Sequence, residues 1–314
     1  MKKKQLRATL LLLLTALIWG AAFVAQDVAM DSLPPFTFNA ARMLLGALVL
    51  LPVIRLMDAR KSAAAEGEVR LHRPMLPGEK RTLLTGGVCC GVVLFVASSA
   101  QQLGINETSA GKAGFVTALY IVLVPVSGLF TGRRVRANVW AAVGLCVAGL
   151  YLLCVTESLS IGKGDIYLLV CALCFTVHIL VVDSFSPRTD CVRMSCIQFF
   201  VAALLCGVVA LFTERPTWQG LMNCAVPILY AGILSSGVGY TLQMVGQRDC
   251  DPTVASLLMS LESLFAVLSG WIILGDVLSP RELGGCALMM AGIVLAQLKF
   301  SSRRQADQPA AQKI

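Results

Sequence analysis

The hydrophobic residues of the chain lie in long continuous blocks and not at the spacing of a soluble core. Each block runs for about 18 to 25 residues, the length at which an α-helix crosses the hydrocarbon of a bilayer. The blocks lack the alternation of polar and apolar positions that is typical of a membrane β-barrel. Because only helices and closed barrels satisfy their backbone polar groups in lipid, the pattern predicts an all-α membrane protein.

Polar and turn-forming residues divide this pattern into ten segments, numbered 1 to 10 in chain order. Stretches such as Asp31–Pro35, Ser186–Arg188 and Ser279–Arg281 separate them. The predicted transmembrane segments are Arg7–Met30, Phe36–Leu56, Thr82–Leu103, Ala110–Thr131, Asn138–Val155, Asp165–Ser184, Val192–Phe212, Gln219–Val245, Thr253–Gly275 and Arg281–Leu298. We interpret the longest polar gap, Met57–Arg81, as a surface loop, and residues 299–314 as a cytoplasmic tail.

Composition and charge agree with a multi-pass membrane protein. Only 14% of the residues are charged and 57% are hydrophobic, whereas a soluble domain has about 25% charged residues. With the N-terminus in the cytoplasm, most of the 26 Lys and Arg residues fall on the cytoplasmic side. The basic residues on the outer side are Lys112, Lys163, Arg215 and Arg281. We therefore expect both termini in the cytoplasm and attribute the net charge of +8 to topology, not to nucleic-acid binding.

The two halves of the chain resemble each other. An offset of 142 residues pairs Gln101 with Gln243, and an offset of 156 residues pairs Arg42 with Gln198. We therefore expect residues 7–155 and 165–298 to form two five-helix repeats. Because each repeat has an odd number of spans, the second copy must lie inverted in the membrane. Inverted repeats are typical of secondary transporters, in which two related halves expose a central site to each side in turn.

Several short motifs resemble the EamA family of the drug/metabolite transporter superfamily. They are Trp19-Gly20-x-x-Phe23, Arg42-x-Leu44-Leu45-Gly46-Ala47, the run from Thr108 to Phe115, Val124-Pro125, and the run from Ala255 to Glu262. The chain departs from the family at Ser263, where a proline often follows the glutamate of segment 9. The resemblance implies ten helices in two EamA repeats, the bacterial inner membrane, and transport of small metabolites, often outward.

Polar residues inside the segments are the candidates for a site, because charge at membrane depth is costly. Glu262 lies about ten residues, or roughly 15 Å, into segment 9. It is a candidate for binding a cation, a coupling proton or a substrate amine, and the alternative is a hydrogen-bonded structural glutamate. Its equivalent in the first repeat is Tyr120, which either contacts substrate or packs in the wall. Trp19, Gln101 and Gln243 are further candidates for substrate binding, with packing or helix bridging as the alternative.

Two ionisable residues are candidates for coupling or for a structural charge. Arg42 lies in segment 2, and we favour a structural clamp, with Asp27 as a candidate partner, over direct binding of an anionic substrate. His178 is the one histidine in a predicted segment. It either relays protons or is simply packed.

The same residues weigh against an enzyme. The sequence has two histidines, no metal-binding His-Glu-x-x-His run and no phosphate-binding glycine-rich loop. We expect no catalytic residue, no metal site and no cofactor. The leading hypothesis is a secondary carrier of small organic molecules, amino-acid-like or drug-like, and the alternative is a passive channel or facilitator. The expected partners are a small-molecule substrate and the lipid bilayer, and a homodimer stays open.

Overall fold

The computed structural model of the protein describes residues 3–65, 77–107, 110–130, 132, 135–154, 162–274 and 279–297. This part of the chain is almost entirely helical and contains no strand. Its α-helices are α1 (Lys3–Met30), α2 (Pro35–Ala65), α3 (Pro77–Ile105), α4 (Ala110–Thr117), α5 (Tyr120–Phe130), α6 (Ala137–Cys154), α7 (Lys163–Phe185), α8 (Cys191–Thr213), α9 (Trp218–Asn223), α10 (Ala225–Leu229), α11 (Thr241–Gln247), α12 (Pro252–Met259), α13 (Leu261–Leu274) and α14 (Pro280–Gln297). A 3₁₀ turn, Ser186–Arg188, follows α7, and a π-helix, Tyr230–Tyr240, joins α10 to α11. The predicted tail lies outside the described residues.

Eight stretches of the described residues are helical, long and apolar enough to cross a membrane. They coincide with predicted segments 1 to 4 and 6 to 9, which confirms an all-helical, multi-pass membrane protein. The remaining two segments correspond to α6, which is apolar but shorter, and to α14, which carries Arg281 and Glu282 in its first turn. These two helices pack against each other. At their contact a Cβ atom added to Gly149 would lie 2.7 Å from the Gly285 carbonyl oxygen.

The polar gap between segments 2 and 3 is more helical than predicted. Helix α2 continues through residues 57–65 and α3 begins at Pro77, so the interpretation of all of Met57–Arg81 as a loop is wrong at both ends. The extension from residue 57 is rich in Ala, Arg and Lys, which favour a helix in water as well as in lipid. Proline is favoured in the first turn of a helix, where its missing N–H has no intrahelical partner.

Segments 4 and 9, which the hydrophobic pattern presents as continuous, are each interrupted near the middle. The first break, at residues 118–119, separates α4 from α5. It lies just before Pro125, which lacks the N–H that would bond the carbonyl of Ile121. The second break, at Ser260, separates α12 from α13 without a proline. Here the Ser256 and Ser260 hydroxyls each donate to the carbonyl three residues earlier, at 2.8 Å, and so compete with the helical pattern.

Segment 8 is divided further, into two short α-helices, the π-helix and α11. The π-helix contains Gly232, Gly237 and Gly239, which have low helix propensity. Its widened turns leave carbonyls for other helices. The Thr15 hydroxyl donates to the Gly239 carbonyl at 3.2 Å, and the Tyr230 hydroxyl donates to the Ile18 carbonyl at 3.1 Å. Helix α1 is therefore bound to the π-helix by hydrogen bonds in both directions.

The helices of the two halves pack against each other in matching pairs. Helix α3 contacts α7 and α8, while the π-helix contacts α1 and α2. Glycines lie at both sets of contacts, where a larger residue would collide with the neighbouring helix. A Cβ atom on Gly104 would lie 2.6 Å from Leu168 Cδ2, and one on Gly246 would lie 2.9 Å from Leu12 Cγ. These close approaches hold the helices around a central space.

Candidate functional site

A small cavity, partly open to the outside of the protein, lies where helices from both halves meet. Its volume is about 30 Å³, enough for a few water molecules and well below the roughly 300 Å³ of a small ligand pocket. Its walls are Trp19, Ala22, Phe23, Gln26, Arg42, Gln101, Tyr120, Phe175, Ile179, Ser235, Tyr240, Gln243, Met259 and Glu262. The structure therefore brings all five candidate substrate-binding residues, and Arg42, to one place around a narrow space.

Glu262 and Tyr120 form a direct contact across the cavity wall. The Tyr120 hydroxyl donates to Glu262 Oε1 at 3.0 Å, and both side chains are buried. Tyr120 is the first residue of α5 and Glu262 is the second residue of α13, so each follows the break in its segment. The unbonded N–H groups at the start of α13 favour a negative charge there. The two helix breaks thus place a carboxyl and a phenol face to face.

Arg42 is the cationic side chain of the cavity wall, and it has no carboxylate partner among the described residues. It is only 2% exposed. Its Nε donates to Asn39 Oδ1 at 2.8 Å, and its guanidinium carbon lies 5.6 Å from the centre of the Phe38 ring. Its Nη2 is buried without a hydrogen-bond partner. The candidate partner Asp27 is exposed, so that pairing is not formed in this structure.

Asn39, one turn earlier on α2, fixes the orientation of Arg42. Its Nδ2 donates to the carbonyl of Ser98 in α3 at 3.1 Å, which leaves its Oδ1 facing the guanidinium. Because Asn39 and Arg42 are three residues apart on α2, they lie on the same helix face. The cation is thus held by a neutral amide, and an unpaired donor remains beside the cavity.

Trp19 and Tyr240 form the aromatic part of the wall. The Trp19 indole Nε1 donates to the Ser235 carbonyl at 3.2 Å, in the middle of the π-helix. The rings of Trp19 and Tyr240 lie 4.6 Å apart, centre to centre, at 53° to each other. Gly239 permits this approach, since a Cβ atom there would lie 2.7 Å from Trp19 Nε1. The π-helix therefore supplies both an acceptor and space for the indole.

Three glutamine side chains contribute polar groups to the wall. Gln101 in α3 and Gln243 in α11 are equivalent in the two halves, and both line the cavity. The Oε1 atoms of Gln243 and Gln26 are buried without a hydrogen-bond partner. Unsatisfied buried acceptors cost about 1–3 kcal/mol each unless a ligand or water binds them. The cavity therefore combines unused acceptors with the unused donor of Arg42.

His178 lies outside the cavity wall. It is fully buried, its Nε2 lies 3.0 Å from Gln198 Oε1, and its ring contacts Tyr240 edge-on at 5.9 Å between centres. It therefore supports Tyr240 from behind. Sequence reasoning did not select Tyr240, Gln26, Phe175 or Ser235. Only Phe175 carried a signal, as the equivalent of Trp19 at the offset of 156 residues.

A multi-pass helical protein whose polar groups converge on a cavity between its helices has the architecture of a membrane transporter. A model of the EamA-like transporter family matches residues 6–155 and 162–298. The chain therefore belongs to the EamA-like transporter family.

Individual relatives agree with this assignment. The chain is 28% identical over 300 residues to an uncharacterized transporter of Archaeoglobus fulgidus, covering 94% of this chain and 87% of the relative. It is 27% identical over 206 residues to the threonine/homoserine exporter RhtA of Escherichia coli, covering 62% of this chain and 66% of the exporter. The fold also matches that of a protein of known crystal structure, with a TM-score of 0.72 and 19% sequence identity. The match covers 92% of this chain and 96% of the chain in the crystal structure.

Proposed function

We propose that this protein is a secondary transporter that carries small organic metabolites outward across the bacterial inner membrane by alternating access. Ten spans, including α6 and α14, form two inverted repeats over residues 7–155 and 165–298, and both termini lie in the cytoplasm. The Tyr120–Glu262 hydrogen bond is the main support for this proposal, because it joins the two interrupted segments at the central cavity. Interrupted helices are typical of the substrate sites of secondary transporters.

Three further observations support the inverted repeats. The breaks in segments 4 and 9 lie at residues 118–119 and 260, which match at the offset of 142. The close contacts of Gly104 with Leu168 and of Gly246 with Leu12 correspond under the two offsets. The family model also matches the chain twice, once in each half.

The cavity charges favour amino-acid-like substrates among the metabolites. Arg42 and Glu262 are the one cation and the one carboxyl among its lining residues. Each is costly at membrane depth, by about 2.5–3.5 kcal/mol on insertion scales. A substrate with a carboxylate for Arg42 and an ammonium group for Glu262 complements both. The name of the relative RhtA, a threonine/homoserine exporter, is consistent with this choice.

Alternating access is favoured over a passive channel because the cavity is too small to let a solute pass. At about 30 Å³ it is too small for a metabolite. Binding therefore needs separation of the surrounding helices, and the glycine-rich π-helix and the two breaks are suitable places for bending. No catalytic chemistry is part of this proposal.

Counterflow in proteoliposomes tests the proposal. Vesicles loaded with one unlabelled amino acid at a time should accumulate the labelled form transiently above equilibrium, with saturation. Glu262→Gln should abolish this signal, while Glu107→Gln, which makes the same change at an exposed turn, should retain it. Linear uptake without counterflow would instead identify a channel.

A further inference from the structure

Apart from the central cavity, the protein has a recess where the start of α1 meets the end of α11. Its volume is about 200 Å³. Lys4, Arg7 and Arg248 form its rim together with Asp249. Its floor is apolar, made by Ala8, Leu11 and Val245. The recess is separate from the central cavity and shares no lining residue with it.

The rim carries an excess of unused positive charge. Lys4, Arg7 and Arg248 are exposed, and no hydrogen bond or ion pair joins their side chains to another residue of the described structure. Among the residues that line the recess, Asp249 is the one carboxylate. The first turn of α1 contains no acidic residue. The recess is therefore suited to an anion.

The surroundings of the recess distinguish a lipid from a soluble anion. Leu6, Leu10 and Leu14 continue along α1 from the rim and are 49%, 57% and 44% exposed. Large apolar side chains so exposed on a membrane-spanning helix face acyl chains. The recess thus lies where the lipid-facing surface ends and the basic rim begins, on the side that the distribution of Lys and Arg assigns to the cytoplasm.

We propose that this recess binds the phosphate of an anionic phospholipid, with Arg7 and Arg248 as the main contacts and the acyl chains along the leucines of α1. Basic pockets between transmembrane helices on the cytoplasmic side are typical sites for such headgroups. The headgroup bridges α1 and α11, which also carry the cavity residues Trp19 and Gln243. A soluble phosphate shares the chemistry of the rim but makes no use of the apolar surface beside it.

Binding of defined lipids to the purified full chain in detergent tests this proposal. We expect phosphatidylglycerol to raise the melting temperature with saturation and to bind at one site by native mass spectrometry, and phosphatidylethanolamine to do neither. The double variant Arg7→Gln/Arg248→Gln should lower the affinity for phosphatidylglycerol about 25-fold, because each basic residue contributes a factor of about five to the affinity. Arg136→Gln, a matched loss of an exposed cation elsewhere, should leave the affinity unchanged.

Three results would overturn the proposal. They are equal binding of the two lipids, unchanged affinity in the double variant, and inorganic phosphate that binds as tightly as phosphatidylglycerol and displaces it. The last result would identify a site for soluble anions. The melting temperature without lipid checks that the double variant is folded. If it is not, the single variant Lys4→Gln is the alternative, because Lys4 is exposed in the first turn of α1. It should lower the affinity for phosphatidylglycerol about fivefold.

Discussion

Tyr120 and Glu262 lie 142 residues apart, directly after breaks at equivalent positions of two segments, and their side chains are joined by a 3.0 Å hydrogen bond. The contact links α5 to α13 at the cavity. The stretch that contains Glu262, Pro252–Ser269, is 72% buried, the largest share of the eight candidate membrane spans. The carboxyl therefore lies on the most enclosed of these spans and contacts a side chain of the other half.

Removal of the Tyr120 hydroxyl should impair transport without unfolding the protein. Tyr120→Phe keeps the ring in the wall but removes the hydrogen bond to Glu262. The loss of a hydrogen bond to a charged group costs about 1.5–3 kcal/mol. We expect counterflow to fall by about tenfold or more. Tyr167→Phe removes a hydroxyl from a 40% exposed ring and is the control. Wild-type counterflow in Tyr120→Phe would show that the bond has no part in transport.

Replacement of Arg42 should act on the carboxylate of the substrate. In Arg42→Gln the amide cannot offer a charge-assisted bond, which is worth about 1.5–3 kcal/mol. We expect the apparent KM for a transported amino acid to rise at least about tenfold, while competition by the corresponding decarboxylated amine changes little. Arg55→Gln removes an exposed cation from the same helix and is the control. If the variant weakens the binding of the amino acid and of the amine equally, the result would favour the structural clamp predicted from the sequence.

A methyl group at Gly20 should force α1 and α13 apart. A Cβ atom there would lie 2.5 Å from Phe265 Cβ and 2.7 Å from its carbonyl carbon, and backbone cannot move aside like a flexible side chain. Gly20→Ala should therefore destabilise the protein by about 1–3 kcal/mol, visible as a lower melting temperature in detergent. Gly144→Ala, with no atom within 4 Å, should be neutral or slightly stabilising. Equal melting temperatures for the two variants would contradict the close packing of α1 on α13.

The two ends of the α2–α8 pair should differ in their contribution to stability. At one end Arg193 Nη2 donates to both oxygens of Asp58, at 2.6 and 2.7 Å, with about a third of each side chain exposed. At the other end Glu214 accepts from the backbone N–H of Phe36 and from the N–H and hydroxyl of Thr37.

Exposed ion pairs contribute about 0.2–1 kcal/mol, whereas loss of a group that caps a helix N-terminus costs about 0.5–2 kcal/mol. Glu214→Ala should therefore lower the melting temperature more than Asp58→Ala does. A double-mutant cycle of Asp58 and Arg193 should give a coupling of 1 kcal/mol or less, on the order of an exposed pair. The reverse order of the two melting temperatures would contradict this ranking.

The lengths of the hydrophobic blocks predicted the helices, and the matching offsets predicted which residues of the two halves correspond. The apolar blocks predicted the helices because the bilayer requires a fixed span of apolar residues. The offsets of 142 and 156 residues paired Tyr120 with Glu262 and Gln101 with Gln243, and these four residues line one cavity. Glu262 and Arg42 stood out because ionisable groups in an apolar block are costly.

The tertiary structure decided which polar residues meet and where the helices break. Asn39, not Asp27, bonds Arg42, and His178 lies behind Tyr240, because rotation of each helix about its axis sets these contacts. That rotation is hidden in the sequence, since lipid-facing surfaces are as apolar as the interior and leave little amphipathic pattern. The π-helix is supported by hydrogen bonds from other helices, such as that of Trp19 Nε1 to the Ser235 carbonyl, which form only when the helices are packed together. The break at Ser260 uses a local bond from its hydroxyl to the Leu257 carbonyl, and the hydrophobic pattern does not reveal it.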